Sequence, residues 1–221
     1  MSLQNLGDVV DIIGGGTPSK KVAAYYGGDI PWATVRDMNT DLIAKTDQTI
    51  TIEGLKNSSS KLIPKDEVVI ATRVGLGKVC LLNQDTAINQ DLRGLIPKSR
   101  VSLDRKYLFY WYKSIAEQVE KAGTGATVKG VRLPFIKALQ IPLPPLEEQR
   151  RIVAILDQLQ GDKKRQPRIL FLADRNILAD QAYGSFSGFS EDARMRINPK
   201  EIRKRKGMPK NANVFFQSFR P

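Results

Sequence analysis

The sequence contains no histidine and only one cysteine, Cys80. Histidine is the usual general base near neutral pH and the commonest metal ligand in proteins. A zinc site, a Ser-His-Asp triad and a Cys-His pair are therefore excluded. A single cysteine cannot form an intramolecular disulfide, which fits a cytoplasmic location.

Long apolar segments are also missing. No apolar run approaches the roughly 18 to 20 residues that a membrane span needs, and the first residues, MSLQNLGDVV, lack the basic and apolar regions of a signal peptide. We therefore expect a cytoplasmic protein with no membrane partner.

Patterns that bind cofactors or carry out catalysis are not found either. Gly14–Thr17 is not followed by the Gly-Lys-Ser/Thr of a Walker loop and does not fit the dinucleotide fingerprint. There is no adenosylmethionine-binding glycine motif and no Asn-Pro-Pro-aromatic motif. Acidic pairs such as Asp66-Glu67 lack a companion lysine in a nuclease-like arrangement. We expect no catalytic residue, no metal and no cofactor.

What the sequence has is positive charge, and its distribution is uneven. The 221 residues carry 35 Lys and Arg against 23 Asp and Glu, a formal net charge of +12, which points first to nucleic acid as the partner. Residues 1–160 hold 21 basic and 17 acidic side chains, and residues 161–221 hold 14 and 6. The composition therefore changes near Gly161, and basic residues of the first part must be clustered by the fold if they meet DNA.

Short strands and helices predict an α/β (α+β) fold, with a mixed β-sheet and flanking helices. Asp104 can cap a helix from Arg105 to about Lys121. After an extended, proline-rich stretch a second helix covers Leu146 to Gln160. Beyond residue 161 we expect a basic, largely helical tail that begins with a buried strand. The predicted strands before the tail are 30–35, 67–72, 78–82 and 92–97.

The helix from Leu146 carries an apolar stripe at i, i+3, i+4 and i+7, formed by Ile152, Ile155, Leu156 and Leu159. Such a stripe usually packs on its own domain. On a helix that leaves the domain body it would instead pair with another helix, within or between chains.

Polar side chains gather around the glycine-rich loops. Arg side chains read guanine edges, and Asn and Gln read adenine. Purely structural roles remain open: Asn89-Gln90-Asp91 can form a hydrogen-bonded turn, and Arg73 can form an ordinary surface ion pair. The candidates are Trp32, Arg36 and Asp37 at a strand end, Thr72, Arg73 and Lys78 around a glycine turn, and Asn89, Gln90, Asp91 and Arg93.

Several stretches are informative when taken together and in order. They are Gly15–Lys20 (GGTPSK), Tyr26–Trp32 (YGGDIPW), Ala71–Arg73, Gly75–Lys78, Ala87–Asp91 (AINQD), Gly125–Gly130 (GATVKG) and Ile141–Asp157. Across about 155 residues they resemble a target recognition domain of type I restriction-modification specificity (S) subunits, including the entry to that family's spacer helix.

The resemblance implies a protein that is not a catalyst. Such subunits read one half of a bipartite double-stranded DNA site per recognition domain, hold methyltransferase (M) subunits and help to recruit restriction (R) subunits. A standard S chain has two recognition domains and two long helices, whereas this chain has one of each, so a homodimer through the helices could rebuild a two-part reader. The implied DNA-binding candidates are Thr17, Ser19, Lys20, Lys21, Trp32, Arg36, Thr72, Arg73, Lys78, Asn89, Gln90, Arg93 and Lys129, and those on the partner-binding helix are Arg150, Ile152, Ile155, Leu156 and Leu159.

The tail has a resemblance of its own. Arg168–Gln181 (RILFLADRNILADQ) looks like a piece of the helicase region of type I R subunits, without its nucleotide-binding lysine loop or its acidic Mg²⁺ motif. The predicted organisation is a target recognition domain over 1–145, a spacer helix over 146–161 and the basic tail over 162–221.

Two other functions stay open. The chain can be a truncated interaction protein, or decoy, that binds M subunits without reading DNA. It can also be a Mg²⁺-dependent nuclease, which the missing histidines and unpaired acids disfavour.

Overall fold

The structure, a computed structural model, describes residues 2–125, 129–161, 169–173, 194–196 and 214–218, and the side chains of residues 3–125 and 129–158. The chain divides into two compact units, Met1–Val153 and Ala154–Pro221. The domain boundaries at 145 and 161 stay predictions.

The described residues of the first unit form eleven strands and six α-helices, the last of which continues beyond it, numbered here along the chain. The strands are β1 (Ser2–Asn5), β2 (Val10–Gly14), β3 (Tyr26–Ala33), β4 (Leu42–Ile43), β5 (Gln48–Ile50), β6 (Lys61–Ile63), β7 (Val68–Ala71), β8 (Val79–Leu82), β9 (Thr86–Ile88), β10 (Leu92–Pro97) and β11 (Gln140–Leu143). The helices are α1 (Leu6–Val9), α2 (Ile52–Lys56), α3 (Arg105–Ser114), α4 (Ala116–Lys121), α5 (Leu133–Ala138) and α6 (Leu146–Gly161), which continues into the second unit.

A five-stranded mixed sheet, in the order β2-β10-β7-β8-β4, lies at the centre of this unit. Its strand β7 is buried on both faces, which explains its continuous apolar sequence. Val68 and Ile70 pack into a core with α1, α3 and α5, here called the helix-side core. Val69 and Ala71 point the other way, into a core shared with a second sheet.

That second sheet has four strands in the order β5-β3-β9-β6. Ile63 and Ile88 contribute from it to the shared core. Gly94 of β10 allows the two sheets to approach, because a Cβ atom there would lie 2.6 Å from Cδ1 of Ile63. The predicted α/β class with a mixed sheet and flanking helices is confirmed, and the four predicted strands correspond to β3, β7, β8 and β10.

The helix predicted over 105–121 begins as expected but does not continue unbroken. The carboxylate of Asp104 accepts a hydrogen bond from the backbone N–H of Tyr107 at 3.0 Å, which caps α3. The prediction of one helix is wrong at Ile115, where α3 gives way to α4. The hydroxyl of Ser114 donates to the Trp111 carbonyl at 2.7 Å, and such side-chain bonds compete with the helical pattern.

In the second unit the described residues beyond α6 form three parallel-paired strands, β12 (Ile169–Ala173), β13 (Arg194–Arg196) and β14 (Val214–Ser218). The strand predicted at the start of the tail corresponds to β12. The helical part predicted for the tail lies outside the described residues. None of the helices in the described ranges has the length and apolar character of a membrane span.

Candidate nucleic-acid interface

Several strands of the five-stranded sheet end or begin at one common end. Gly14, the last residue of β2, pairs with Arg93 near the start of β10. Ala71, the last residue of β7, pairs with Leu92, and its N–H donates to the Lys78 carbonyl just before β8 at 3.0 Å. The loops that leave these strands therefore emerge side by side.

The second sheet ends at the same place. Ala33 and Ile88, which close the parallel strands β3 and β9, are partners in register. The N–H of Gly16 donates to the Ile88 carbonyl at 3.0 Å, and this bond joins the two sheet ends. We call the segments gathered here, residues 15–21, 34–37, 72–78, 89–91 and 129–131, the loop surface.

Positive charge is concentrated on the loop surface. Its segments contain six basic and two acidic side chains, whereas the rest of residues 1–160 contains 15 of each. The whole net charge of +4 in that part of the chain is therefore carried here. The six basic residues are Lys20, Lys21, Arg36, Arg73, Lys78 and Lys129, and each has its side chain exposed.

The loops surround an open cavity of about 360 Å³. Its wall combines exposed donors and acceptors and three carboxylates with the apolar side chains of Trp32, Val35 and Val74. Six of the predicted DNA-binding residues border it, namely Thr17, Lys20, Trp32, Arg36, Asn89 and Gln90, and the other lining residues are Thr34, Val35, Asp37, Asp47, Gln48, Val74 and Asp91.

Asp91 and its neighbour Gln90 connect three of these loops. The carboxylate of Asp91 accepts hydrogen bonds from the amides of Asn89 at 3.2 Å and Gln90 at 3.4 Å, and it lies 3.6 Å from the Arg73 guanidinium. The backbone carbonyl of Asp91 accepts from the N–H of Thr72 at 2.9 Å. The side chain of Thr17 donates in turn to Gln90. Asp91 therefore links the 72–78 loop to the 89–91 loop, and Gln90 links the 89–91 loop to the 15–21 loop.

Both structural roles that the sequence left open, a turn at Asn89-Gln90-Asp91 and an ion pair at Arg73, are present in the structure. Asn89 is only 6% exposed and closes a turn in which its side-chain oxygen accepts from the Asp91 N–H at 3.1 Å. Arg73 forms the ion pair with Asp91, yet 53% of its side chain remains exposed. Gln90 is exposed at the tip of the turn. DNA contact by these residues stays a prediction.

Trp32 belongs to the interior of the fold. It is 4% exposed and packs with Ile50 and Ala87, with the ring of Tyr26 edge-on at 6.1 Å. Its indole N–H donates to the Gly16 carbonyl at 3.2 Å. Burial raises the pKa of Tyr26, whose protonated hydroxyl donates to the Pro18 carbonyl at 2.6 Å. The aromatic pair thus holds the 15–21 loop in place.

Arg36 is presented by a short capped turn. The carboxylate of Asp37 accepts from the Thr34 N–H at 2.7 Å and from the Thr34 hydroxyl at 3.0 Å, and its second oxygen accepts from the Asp47 N–H at 2.8 Å. The N–H of Arg36 donates to the Thr34 hydroxyl at 3.2 Å. Because the backbone is fixed in this way, the exposed Arg36 guanidinium projects from a rigid base.

The other predicted residues are placed as follows. Thr72 is buried, and its carbonyl accepts from the Val131 N–H at 2.9 Å, which ties the 129–131 segment to the rest. Ser19 and Lys21 are exposed next to Lys20 in the chain. Arg93 is half-buried, and its guanidinium lies against Gly14 inside the sheet, so it is not part of the cavity wall.

Three side chains that matter here, those of Asp37, Val74 and Asp91, were not among the residues predicted to bind DNA. Asp91 and Asp37 were noticed as neighbours of candidate readers, but their bonding role depends on partners in other loops. Val74 was not considered, because an apolar residue in a glycine turn gives no sequence signal for binding. Cys80 has no role at this surface: it is buried, its thiol donates to the Thr40 carbonyl at 3.0 Å, and burial raises its pKa to about 12.

The start of α6 is fastened to the body by Gln149, a fully buried residue that the sequence analysis did not single out. Its side-chain oxygen accepts from the Asp104 N–H at 2.9 Å. Its amide nitrogen donates to the carbonyls of Ser102 and Pro144, both at 2.8 Å. The first turn of the helix is therefore held against the first unit.

The predicted apolar stripe of α6 divides between two environments. Ile152 packs against the helix-side core, next to the buried Val153. Ile155 is 45% exposed and Leu156 is half-buried. Arg150 is exposed, and the side chain of Leu159 lies outside the described residues.

Among solved structures the fold matches that of type I specificity subunits. The HsdS subunit from Thermoanaerobacter tengcongensis aligns with a TM-score of 0.59 and 29% identity, over 73% of this chain and 37% of that chain. A chain from a study of the complex assembly and conformational transition of the type I R-M system aligns with a TM-score of 0.59 and 31% identity, over 73% and 38%.

Sequence comparison identifies the family. The type I restriction modification DNA specificity domain matches residues 2–167, and the chain belongs to this family. A relative from Methanocaldococcus jannaschii, the type I restriction enzyme MjaIX specificity subunit, is 32% identical over 76% of this chain. The EcoR124I/EcoR124II specificity subunit from Escherichia coli is 34% identical over 70% of this chain. The chain spans about 40% of the length of each of these relatives.

Proposed function

We propose that this chain recognises one half-site of double-stranded DNA as a specificity subunit of a type I restriction-modification system, and that it docks methyltransferase subunits. The observation that carries the proposal is the loop surface, on which the fold concentrates all the net positive charge of residues 1–160. Balanced charge on the rest of the body leaves one face suited to the phosphate backbone.

Affinity and discrimination come from different groups on this surface. The lysines and arginines contact phosphates, which supplies most of the affinity and makes binding sensitive to salt. Arg36, Arg73 and Gln90 have exposed donors beside the cavity and are suited to base edges. Buried Asn89, Trp32 and Thr72 act by positioning these readers.

Docking of the methyltransferase subunit is assigned to α6. Gln149 anchors the first turn, and Arg150 and Ile155 are exposed on the helix beyond it. An exposed isoleucine on a rigidly anchored helix is suited to an apolar helix-to-helix contact. A second copy of this chain, docked through the same helix, would supply the other half-site.

In this proposal the chain itself performs no catalysis, and methylation and cleavage belong to the M and R subunits.

We also propose that residues 162–221 descend from the helicase region of an R subunit, because Arg168–Gln181 resembles part of that region. If the fragment covers a surface that partners use, deleting residues 162–221 changes solubility, oligomeric state or partner binding. Unchanged behaviour on all three counts contradicts that role.

Selection of bound duplexes from a random pool, by the full chain with and without a type I methyltransferase subunit, tests the proposed function. We expect one short enriched motif, bound weakly by the chain alone because a half-site offers few base contacts. Capture of the methyltransferase subunit with no enriched motif and no DNA shift at low salt would instead support the decoy function.

A further inference from the structure

Val74, in the loop between β7 and β8, has an unusual backbone conformation. Its φ angle is 44°, in the left-handed region, and within the described ranges only Asp66 among the other non-glycine residues shares a positive φ. A β-branched side chain is strained there, whereas aspartate, asparagine and glycine adopt this region more readily. Strain of this kind is often associated with function.

The fold gains little from a valine at this position. The residue is 51% exposed and is not a member of the apolar cores. Asparagine or glycine would fit the same backbone with less strain. Single exposed apolar side chains are common on protein surfaces. Val74 differs from the others because it combines exposure with a strained backbone at the cavity wall, and this combination points to a contact outside the chain.

The rest of the loop holds Val74 in a defined place. Leu76 is buried, and Gly77, at φ 84°, lies so close to Ala116 that an added Cβ would be 2.8 Å from its carbonyl oxygen. The N–H of Lys78 donates to the Gly75 carbonyl at 3.1 Å. Val74 is therefore presented on a rigid turn, and it borders the cavity together with Gln90 and Arg36.

We infer that Val74 contacts the 5-methyl group of one thymine in the major groove and so determines specificity at that base pair. The inference rests on the proposed function. The thymine methyl is the one apolar group on the base edges in the major groove, and small apolar side chains recognise it. Side chains that wedge between base pairs are typically longer or bulkier, such as phenylalanine, leucine or methionine.

Single thymine-to-uracil replacements in the selected duplex test the contact, because each one removes only a methyl group. With the full chain and its methyltransferase subunit, we expect one position at which uracil weakens binding about fourfold, the value of one buried methyl group. V74N should lose this preference, and V74T, which keeps one methyl group on Cβ, should retain it.

The variants also separate recognition from folding. V74N and V74G should melt at or above the wild-type temperature, since both residues tolerate a positive φ. If the selected duplex is still bound preferentially, two results would overturn the inference. The first is that uracil is tolerated at every position, and the second is that the preference for thymine persists in V74N. If the selected duplex is bound no better than a scrambled one, the proposed function fails, and the inference with it.

Discussion

Replacing Gln149 with leucine tests whether the first turn of α6 is fixed by hydrogen bonds. The substitution removes three bonds of 2.8 to 2.9 Å, to Asp104, Ser102 and Pro144, and inserts an apolar group of similar size. Each bond contributes about 1 kcal/mol net to stability, and its loss leaves a buried backbone group without a partner. We expect the free energy of unfolding to fall by about 3 kcal/mol.

Urea unfolding followed by tryptophan fluorescence measures this change. Both tryptophans of the chain, Trp32 and Trp111, are buried in the first unit, so the signal reports the body to which α6 is attached. At a slope of about 2 kcal/mol per molar urea, the midpoint should fall by about 1.5 M. R150L introduces leucine at an exposed neighbouring position and should change stability by less than about 0.5 kcal/mol. A loss below about 1 kcal/mol in Q149L would refute the reasoning.

Two further predictions concern the loop surface and a buried carboxylate. R73A should weaken binding to the selected half-site by about 1 to 3 kcal/mol if Arg73 reads a base, as measured by competition, and an equal loss on scrambled DNA would assign it to the phosphate backbone. Glu67 is fully buried with one oxygen lacking a partner among the described residues, and burial raises its pKa against the opposing effects of Arg105 and Arg100. The folded state therefore binds the proton of Glu67 more tightly than the unfolded state does. The stability of the wild type relative to E67Q should then rise as the pH falls through the folded-state pKa towards the unfolded value of about 4.3. Urea titrations in which the stability of the wild type relative to E67Q falls on acidification would contradict this prediction.

Local chemistry made part of the fold predictable. The Asp104 cap of α3, the apolar strand β7 and the strand β10 were predicted from short stretches of sequence. All three are present in the structure. The break at Ile115 was missed, because apolar spacing continues across it and the decisive bond comes from the Ser114 hydroxyl.

The candidate site was only partly predictable, for a physical reason. Sequence motifs identified the loops, since glycines and polar residues cluster in them. They could not distinguish a residue that faces solvent from one that holds the loop. Trp32 and Asn89 are buried by partners distant in the chain, Gly16 and Ile50 for the first and Ala33 for the second. The strain at Val74 likewise depends on the packing of its whole turn.

The salt dependence of DNA binding in charge-matched double variants tests the central claim most directly. Lys20 and Lys78 lie on the loop surface, whereas Lys65 and Lys98 follow β6 and β10 at the opposite end of the sheets. All four side chains are exposed, so K20Q/K78Q and K65Q/K98Q remove the same charge.

Each phosphate contact contributes about 0.9 to the slope of log K against log salt. We predict that K20Q/K78Q lowers the magnitude of the slope by about 1.8, and that K65Q/K98Q leaves it unchanged. Equal slopes for the two variants would contradict the account.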